Sequence, residues 1–193
     1  MRNKKNTKRL QFSEDGELSG VRFEYREPKK KTNTAGPSRA VDRHTDVPVY
    51  LAEVYTDGSC GNGAGGWAYI TKLGRTISED SGGSSSTTSN RMEMTAAIKA
   101  LQSLPDNTRV TLFSDSEYLV NGMNVWLRAW KNRGWTTAGG SHQPIKNKDL
   151  WEQLDAEGAA RRVDYVWVRG HNGTEFNERA DYLATRASRT VVS

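Results

Sequence analysis

Four carboxylates in this chain stand where they can be gathered into one cluster. Asp57 lies in LAEVYTDGSC, Glu93 in NRMEMTAA, Asp115 in RVTLFSDSEYLVNG and Asp181 in EFNERADYLA. LAEVYTD and RVTLFSD both read as strands, with Asp57 and Asp115 at their ends. If these strands lie parallel and adjacent, both carboxylates emerge at one sheet edge, where open α/β sheets place their ligands. Glu93 is expected in the first turn of an amphipathic helix, beside an apolar stripe that includes Ala97 one turn on. Asp181 follows Asn177 by one turn on a final helix. Crowded acids repel unless cations neutralise them, and a set made only of oxygens suits Mg²⁺ or Mn²⁺. Each acid also has a purely structural alternative. Asn90-x-x-Glu93 approximates a capping box, Asp115 can cap the helix after it, Asp57 can be a turn residue before glycine, and Asp181 can be a solvated helix position.

The elements that must position these acids follow from periodicity. GNGAGG, Gly61 to Gly66, matches G-x-G-x-x-G, the pattern of a dinucleotide loop. A pyrophosphate loop needs a helix N-terminus behind it, whereas GWAYITK alternates like a strand, so a hairpin is expected and the dinucleotide reading is set aside. A third strand is expected at Arg75–Asp80, followed by a flexible run, SGGSSSTTSN. MEMTAAIKALQSL then puts Met94, Ala97, Ile98, Leu101 and Leu104 on one helical stripe. Helices are expected around SEYLVNG, NVWLRAW, KDLWEQLDAE and EFNERADYLATRAS, with a fifth strand at VDYVWVR. Three successive strands followed by alternating helices and strands indicate an α/β sandwich with a mixed sheet.

Composition limits the setting. The chain has 193 residues, one cysteine and a net charge of +5. Cys60 alone excludes an intramolecular disulfide and a Cys-rich zinc site, and no apolar run is long enough to span a membrane. A soluble, intracellular, cytoplasmic protein is expected, with no membrane partner. The charge is uneven: residues 1–50 hold 12 Lys/Arg against 7 Asp/Glu, whereas residues 51–193 hold 16 of each. Residues 1–48 therefore read as a basic extension or linker. Val21, Phe23 and Tyr25 suit a short strand there, and Asp15-Gly16 suits a hairpin turn. Its partner is expected to be nucleic acid or a protein. A second basic patch lies between Asn121 and Lys148, where Arg128, Lys131, Arg133, Lys146 and Lys148 stand without an acid.

The motifs TDGSC, NRMEMTAA, SDSEYLVNG and GHNGTEFNERADYLA, in this order, resemble the type 1 ribonuclease H family, from about Val54 to Ala187. NVWLRAWKNRGW and PIKNKDLW resemble its substrate-binding protrusion. The resemblance implies an α/β ribonuclease H-like fold, a five-stranded mixed sheet with helices on both faces, over a catalytic domain at residues 49–190. It implies a monomeric enzyme that cleaves the RNA strand of an RNA–DNA hybrid, leaving 5′-phosphate and 3′-hydroxyl ends. Asp57, Glu93, Asp115 and Asp181 match the family's acids for two Mg²⁺ ions, Mn²⁺ being an alternative. His171 matches a histidine on a mobile loop that assists proton transfer or product release, and imidazole suits that task near neutral pH.

The same resemblance places Cys60, Asn62 and Asn90 at the RNA minor groove, where 2′-hydroxyls distinguish RNA from DNA. The glycines beside them would let the backbone approach the sugar. Thr88 and Asn147 match a pocket for a DNA phosphate. Their structural alternatives are a polar turn and a helix cap. Trp126 and Trp130, four residues apart, can form a small local core or pack on deoxyribose of the DNA strand, with Arg128, Lys131 and Arg133 neutralising phosphates. Trp151 and Trp167 are expected in the core. Three features depart from many relatives: Ala129 in place of asparagine, Ser86 in place of a basic phosphate ligand, and the short GNGAGG loop. All three bear on the DNA strand and leave the four acids untouched. Two other readings stay open, a noncatalytic hybrid-binding protein of this fold and a nuclease domain related to reverse transcriptases or integrases.

Overall fold

The computed structural model describes residues 50–138, 142–171 and 173–191. The expectations for residues 1–48, including the strand at Val21–Tyr25 and the Asp15-Gly16 turn, lie outside the described residues.

Strand β1 (Leu51–Gly61) turns back into β2 (Ala64–Leu73) through Asn62-Gly63 alone. Both turn residues have positive φ, 54° and 83°, the backbone of a two-residue hairpin whose twist matches its strands. Asn and Gly are the residues that reach this region at least cost, which settles the opening of GNGAGG as a hairpin. Gly66 also serves helix packing. A Cβ on Gly66 would lie 2.1 Å from the carbonyl oxygen of Ala184, so α5 (Glu175–Thr190) can ride this close to β2 only over glycine.

Two strand ends differ from expectation. β1 runs on past Asp57 to Gly61, and β3 (Thr76–Ser84) runs past Asp80 into the Ser/Gly run expected to be flexible. In each case β2 supplies partners along its whole length, down to Gly65↔Ser84. Ladder pairing outweighs the weak strand propensity of Ser and Gly.

Helix α1 (Ser89–Gln102) starts two residues earlier than a capping box at Asn90 would allow. Its N-cap is Thr88, whose Oγ1 accepts the Arg91 amide at 3.4 Å. Glu93 therefore belongs to the second turn, and the capping-box reading fails. The remaining elements are β4 (Arg109–Ser114), α2 (Glu117–Asn121), a π-helical turn (Gly122–Trp126), α3 (Leu127–Asn132), α4 (Lys148–Ala160) and β5 (Arg162–Trp167).

The sheet has five strands in the order β3-β2-β1-β4-β5, antiparallel on the β3–β1 side and parallel from β1 to β5. Alternation along the strands supplies two apolar faces. On one, Ala52, Val54, Tyr69, Val110 and Leu112 pack beneath the expected stripe Met94, Ala97, Ile98, Leu101 and Leu104 and beneath Leu150, Trp151 and Leu154 of α4. On the other, Leu183 and Ala184 of α5 cover Ala68, and Phe176 packs on Tyr55, which stacks on Phe113. Each fully buried Leu, Ile or Val side chain contributes about 1.5–3 kcal/mol, so both faces need a helical cover. Helices therefore lie on both faces, as expected. Trp151 is fully buried, but Trp167 is 48% exposed and is not core. β5 is an edge strand, and the packed cluster reaches its Val163 and Tyr165 without reaching Trp167. No helix among the described residues is long and apolar enough to cross a membrane.

Candidate active site

The parallel pair β1–β4 ends at Thr56↔Ser114, and the next residue on each strand is an acid, Asp57 and Asp115. Residues in parallel register share a face, so both carboxylates leave the sheet side by side where the strands part. Glu93 approaches from α1. Carboxylate oxygens of Asp57, Glu93 and Asp115 all lie within 4.8 Å of one another. Asp57 is 7% and Glu93 9% exposed, whereas Asp115 is half-buried. Asp115 is not a helix cap, because Ser116 fills that role, its Oγ accepting the Leu119 amide at 3.3 Å.

The electrostatics follow from this crowding. Burial, then the charges of Asp115 and Asp181, push the Asp57 carboxyl up to about 7. Burial and the charges of Asp57 and Asp115 hold Glu93 well above the usual carboxylate range. Asp115 is raised chiefly by burial, with Asp181 adding to it and His171 opposing it. Glu93 Oε2 is buried and has no hydrogen-bond partner. Three hard oxygen ligands, one of them orphaned, form the kind of donor set that a divalent cation satisfies.

Asp181, from α5, belongs to a second group with His171 and Glu178, whose ligand atoms also lie within 4.8 Å of one another. His171 Nδ1 is 3.8 Å from Glu178 Oε2 and 4.0 Å from Asp181 Oδ2, and its side chain is exposed. Its backbone is left-handed, φ 52°. Glu178 Oε1 accepts the Gly173 amide at 3.2 Å, which ties the histidine loop to the helix bearing Asp181. Glu178 was absent from the sequence expectations. The signal was there, since a residue three before Asp181 shares its helix face.

The residues expected at the RNA strand gather around the first hairpin. Thr87 joins the loop before α1 to it twice, its amide donating to the Gly63 carbonyl at 2.7 Å and its own carbonyl accepting the Cys60 thiol at 3.6 Å. Cys60 is half-buried, Asn62 is exposed at the hairpin tip and Asn90 is half-buried in the first turn of α1. The residues expected at a DNA phosphate, Thr88 and Asn147, flank Arg91. Its amide bonds Thr88, and its guanidinium donates to Asn147 Oδ1 at 3.5 Å and to both carboxylate oxygens of Asp149 at 3.0 and 2.7 Å. Thr88 is thus the helix cap. Asn147 is the N-cap residue of α4, in left-handed conformation, and its carbonyl accepts the Trp151 amide at 3.1 Å, but its side chain makes no cap bond.

Trp126 and Trp130 sit at ring-centroid distances of 5.6 Å from each other, and Trp130 lies 5.1 Å from the buried Trp151. Trp130 is half-buried against the core, whereas Trp126 is exposed. Tyr118, another residue outside the sequence expectations, binds this group together. Its ring lies 5.1 Å from Trp151, and its hydroxyl accepts from Trp151 Nε1 and Asn147 Nδ2 and donates to the Lys146 carbonyl. The basic patch is less free than the linear sequence implies. α4 brings Asp155 to 2.6 Å from Lys131 and Glu152 to 3.6 Å from Lys148, while Arg128 and Arg133 have no acidic partner among the described residues.

The family model described as RNase H matches residues 51–189. Ribonuclease H of Neisseria gonorrhoeae is 49% identical over 145 residues, which span 74% of this chain and 97% of that protein. Ribonuclease H of Albidiferax ferrireducens is 51% identical over 138 residues, 69% of this chain and 91% of that protein. Among solved structures, LC9-RNase H1, a type 1 RNase H with the type 2 active-site motif, aligns with a TM-score of 0.66 at 32% identity, covering 76% of this chain and 75% of that one. LC11-RNase H1, solved in complex with RNA/DNA hybrid, shares the fold with a TM-score of 0.54 at 23% identity, covering 74% of this chain and 99% of that one. With its sheet, its helices and about half of its aligned residues in common with these relatives, the chain belongs to the ribonuclease H family of enzymes.

Proposed function

We propose that the protein is an endonuclease that hydrolyses the RNA strand of RNA–DNA hybrids, leaving 5′-phosphate and 3′-hydroxyl ends, with residues 49–190 as its catalytic domain. The observation that carries this reading is the set of three carboxylates within 4.8 Å, two of them buried, with Glu93 Oε2 unpartnered. These residues fit hard divalent cations, and Asp57, Glu93, Asp115 and Asp181 would hold them. Two such ions bound there would supply the activation of the attacking water and the stabilisation of the leaving 3′-oxygen.

The chain's own residues do the rest. Asp57 is held by main chain within β1 and Asp115 directly after the paired end of β4, so their carboxylates meet substrate already oriented. Glu93 closes the pocket from the core side and keeps bulk water out behind them. His171 turns Nδ1 toward Glu178 and Asp181, leaving Nε2 to accept or deliver a proton as product leaves. Cys60, Asn62 and Asn90 contact 2′-hydroxyls of the RNA, and Thr88, Asn147, Trp126 and Trp130 contact the DNA strand. Arg128, Lys131 and Arg133 approach its phosphates. Residues 1–48, with all of the excess charge, act as an electrostatic clamp on the duplex.

The test is incubation in Mg²⁺ with labelled hybrid, duplex RNA, duplex DNA and single-stranded RNA. Cleavage confined to the RNA of the hybrid, needing several consecutive ribonucleotides, is expected. Efficient cutting of duplex RNA, or at a single ribonucleotide embedded in DNA, overturns the substrate assignment. Deleting residues 1–48 should weaken hybrid binding at low salt and leave kcat unchanged, and an unaltered salt dependence rules out the clamp.

A further inference from the structure

Asp115 carries a cation-binding carboxylate at a weak point of the backbone. It is the first residue past β4, and within two residues the chain has entered α2. The parallel ladder stops short of it, its last bond running from the Val168 amide to the Ser114 carbonyl at 3.0 Å. The Asp115 carbonyl is left without a ladder donor. It receives a hydrogen bond from the indole of Trp167, whose Nε1 lies 3.1 Å away. On the other side, Ser114 Oγ accepts the Ser116 amide at 3.1 Å. The peptide that follows the Asp115 Cα is thus held at both of its polar groups, its carbonyl by a side chain on β5 and its amide by one on β4.

Two further features mark Trp167 out. It is 48% exposed, so burial of the ring is not what the position needs. Indole is a donor with no acceptor capacity, so its one polar atom is committed to this carbonyl. A few residues on, Gly170 passes so close to Asp115 that a Cβ there would lie 2.5 Å from Asp115 Oδ2. The end of β5 and the segment after it thus bear on Asp115 twice, at its carbonyl and at its carboxylate. Catalytic constellations tolerate only about 0.5 Å of misplacement, and a carboxylate moves with its main chain.

We propose that Trp167 is a positioning residue for the reaction, its indole N–H extending the β4–β5 ladder by one bond so that the Asp115 carboxylate is held in place for the divalent cation. This rests on the assignment of Asp115 to the metal site. Trp167 touches neither substrate nor cation and acts through Asp115.

The test compares wild type, Trp167→Phe and a protein carrying 3-benzothienylalanine at position 167, which keeps the shape of tryptophan but has sulfur in place of N–H. Mg²⁺ is titrated into each without nucleic acid and followed by amide chemical shifts, and kcat and KM are measured on hybrid. Loss of one neutral hydrogen bond corresponds to roughly a five- to tenfold effect. Both variants should therefore weaken Mg²⁺ binding and lower kcat by about that factor, with KM for hybrid unchanged. The benzothienyl protein decides the matter if the phenylalanine variant is poorly folded. Wild-type Mg²⁺ affinity and kcat in that protein overturn the proposal, as does an effect confined to KM, which would make the ring a hybrid contact. Asp115→Asn belongs in the same series: if it keeps Mg²⁺ binding and activity, the metal-site assignment itself has failed. If it is inactive while the Trp167 variants behave as wild type, only the role of Trp167 has failed.

Discussion

The acid pocket and the tryptophan protrusion are built on opposite plans. In the pocket, Asp57 lies on β1 and Asp115 directly follows the paired end of β4, Glu93 is buried, and like charges face one another with His171 opposing them from its loop. In the protrusion, short helices carry exposed cations, two of which, Lys131 and Lys148, are answered by acids of α4, and the aromatic rings lean on one another and on Trp151. One region concentrates unfavourable electrostatics that a ligand relieves. The other spreads favourable contacts that a ligand supplements. Substitutions should therefore be sharp in the first and graded in the second.

The largest effect should come from removing charge in the pocket. Asp57→Asn or Asp115→Asn keeps the shape and should lower kcat by about 10³-fold or more while hybrid binding persists, since binding and chemistry use different residues. Single-turnover cleavage with a parallel binding assay checks this, and retention of more than a few per cent of activity removes that residue from the metal site. His171→Ala should be milder, slowing turnover while single-turnover cleavage stays detectable.

Next in size is the aromatic group. Trp130→Ala deletes a half-buried ring packed on Trp151 and should cost about 2–4 kcal/mol of stability, near the lower part of the range for large-to-small core changes. Trp126→Ala, at an exposed position, should cost far less and act mainly on KM. Denaturant unfolding of the two variants checks this, and equal losses would mean that Trp126 is core as well.

A pH test separates the two plans thermodynamically. The folded-state pKa of Asp57 is raised to about 7, against an ordinary aspartate near 4. Between these values the folded protein holds a proton that the unfolded chain has released, so the stability contributed at Asp57 falls as pH rises from about 4 to about 7 and levels off above. Asp57→Asn removes this dependence. In EDTA the variant should melt above wild type at pH 8, with the gap closing as pH falls toward 4, and Mg²⁺ should raise the melting temperature of wild type more than that of the variant. A gap independent of pH would show that charge is not what the pocket stores.

The smallest effects belong to the exposed cations. Arg133→Ala should flatten the log-log salt dependence of hybrid affinity by about 0.9 for each phosphate that the arginine neutralises in the wild type. Lys131→Ala should do less, since Asp155 already neutralises Lys131. Equal slopes for the two variants would erase the distinction.

Much of this was legible in the sequence because it rests on short-range rules. The Asn-Gly hairpin, the Met94–Leu104 stripe, the strands leading to Asp57 and Asp115 and the order of elements all follow from propensity and period. The motif order added the family. What the sequence could not supply depends on partners distant along the chain. β3 reaches Ser84 because β2 is there to pair with it, and Trp167 is exposed because β5 ended as an edge. Lys131 is held by an acid on another helix, and Glu178 gained a role from a loop folded back onto α5. The indole bond from Trp167 to Asp115 joins the end of β5 to the residue after β4, two positions with opposite local signals, one apolar and one acidic. Local patterns determined which residues could face a ligand. Tertiary packing decided which of them are buried, held and left without a partner, because burial and hydrogen-bond geometry are set by whatever segment arrives from elsewhere in the chain.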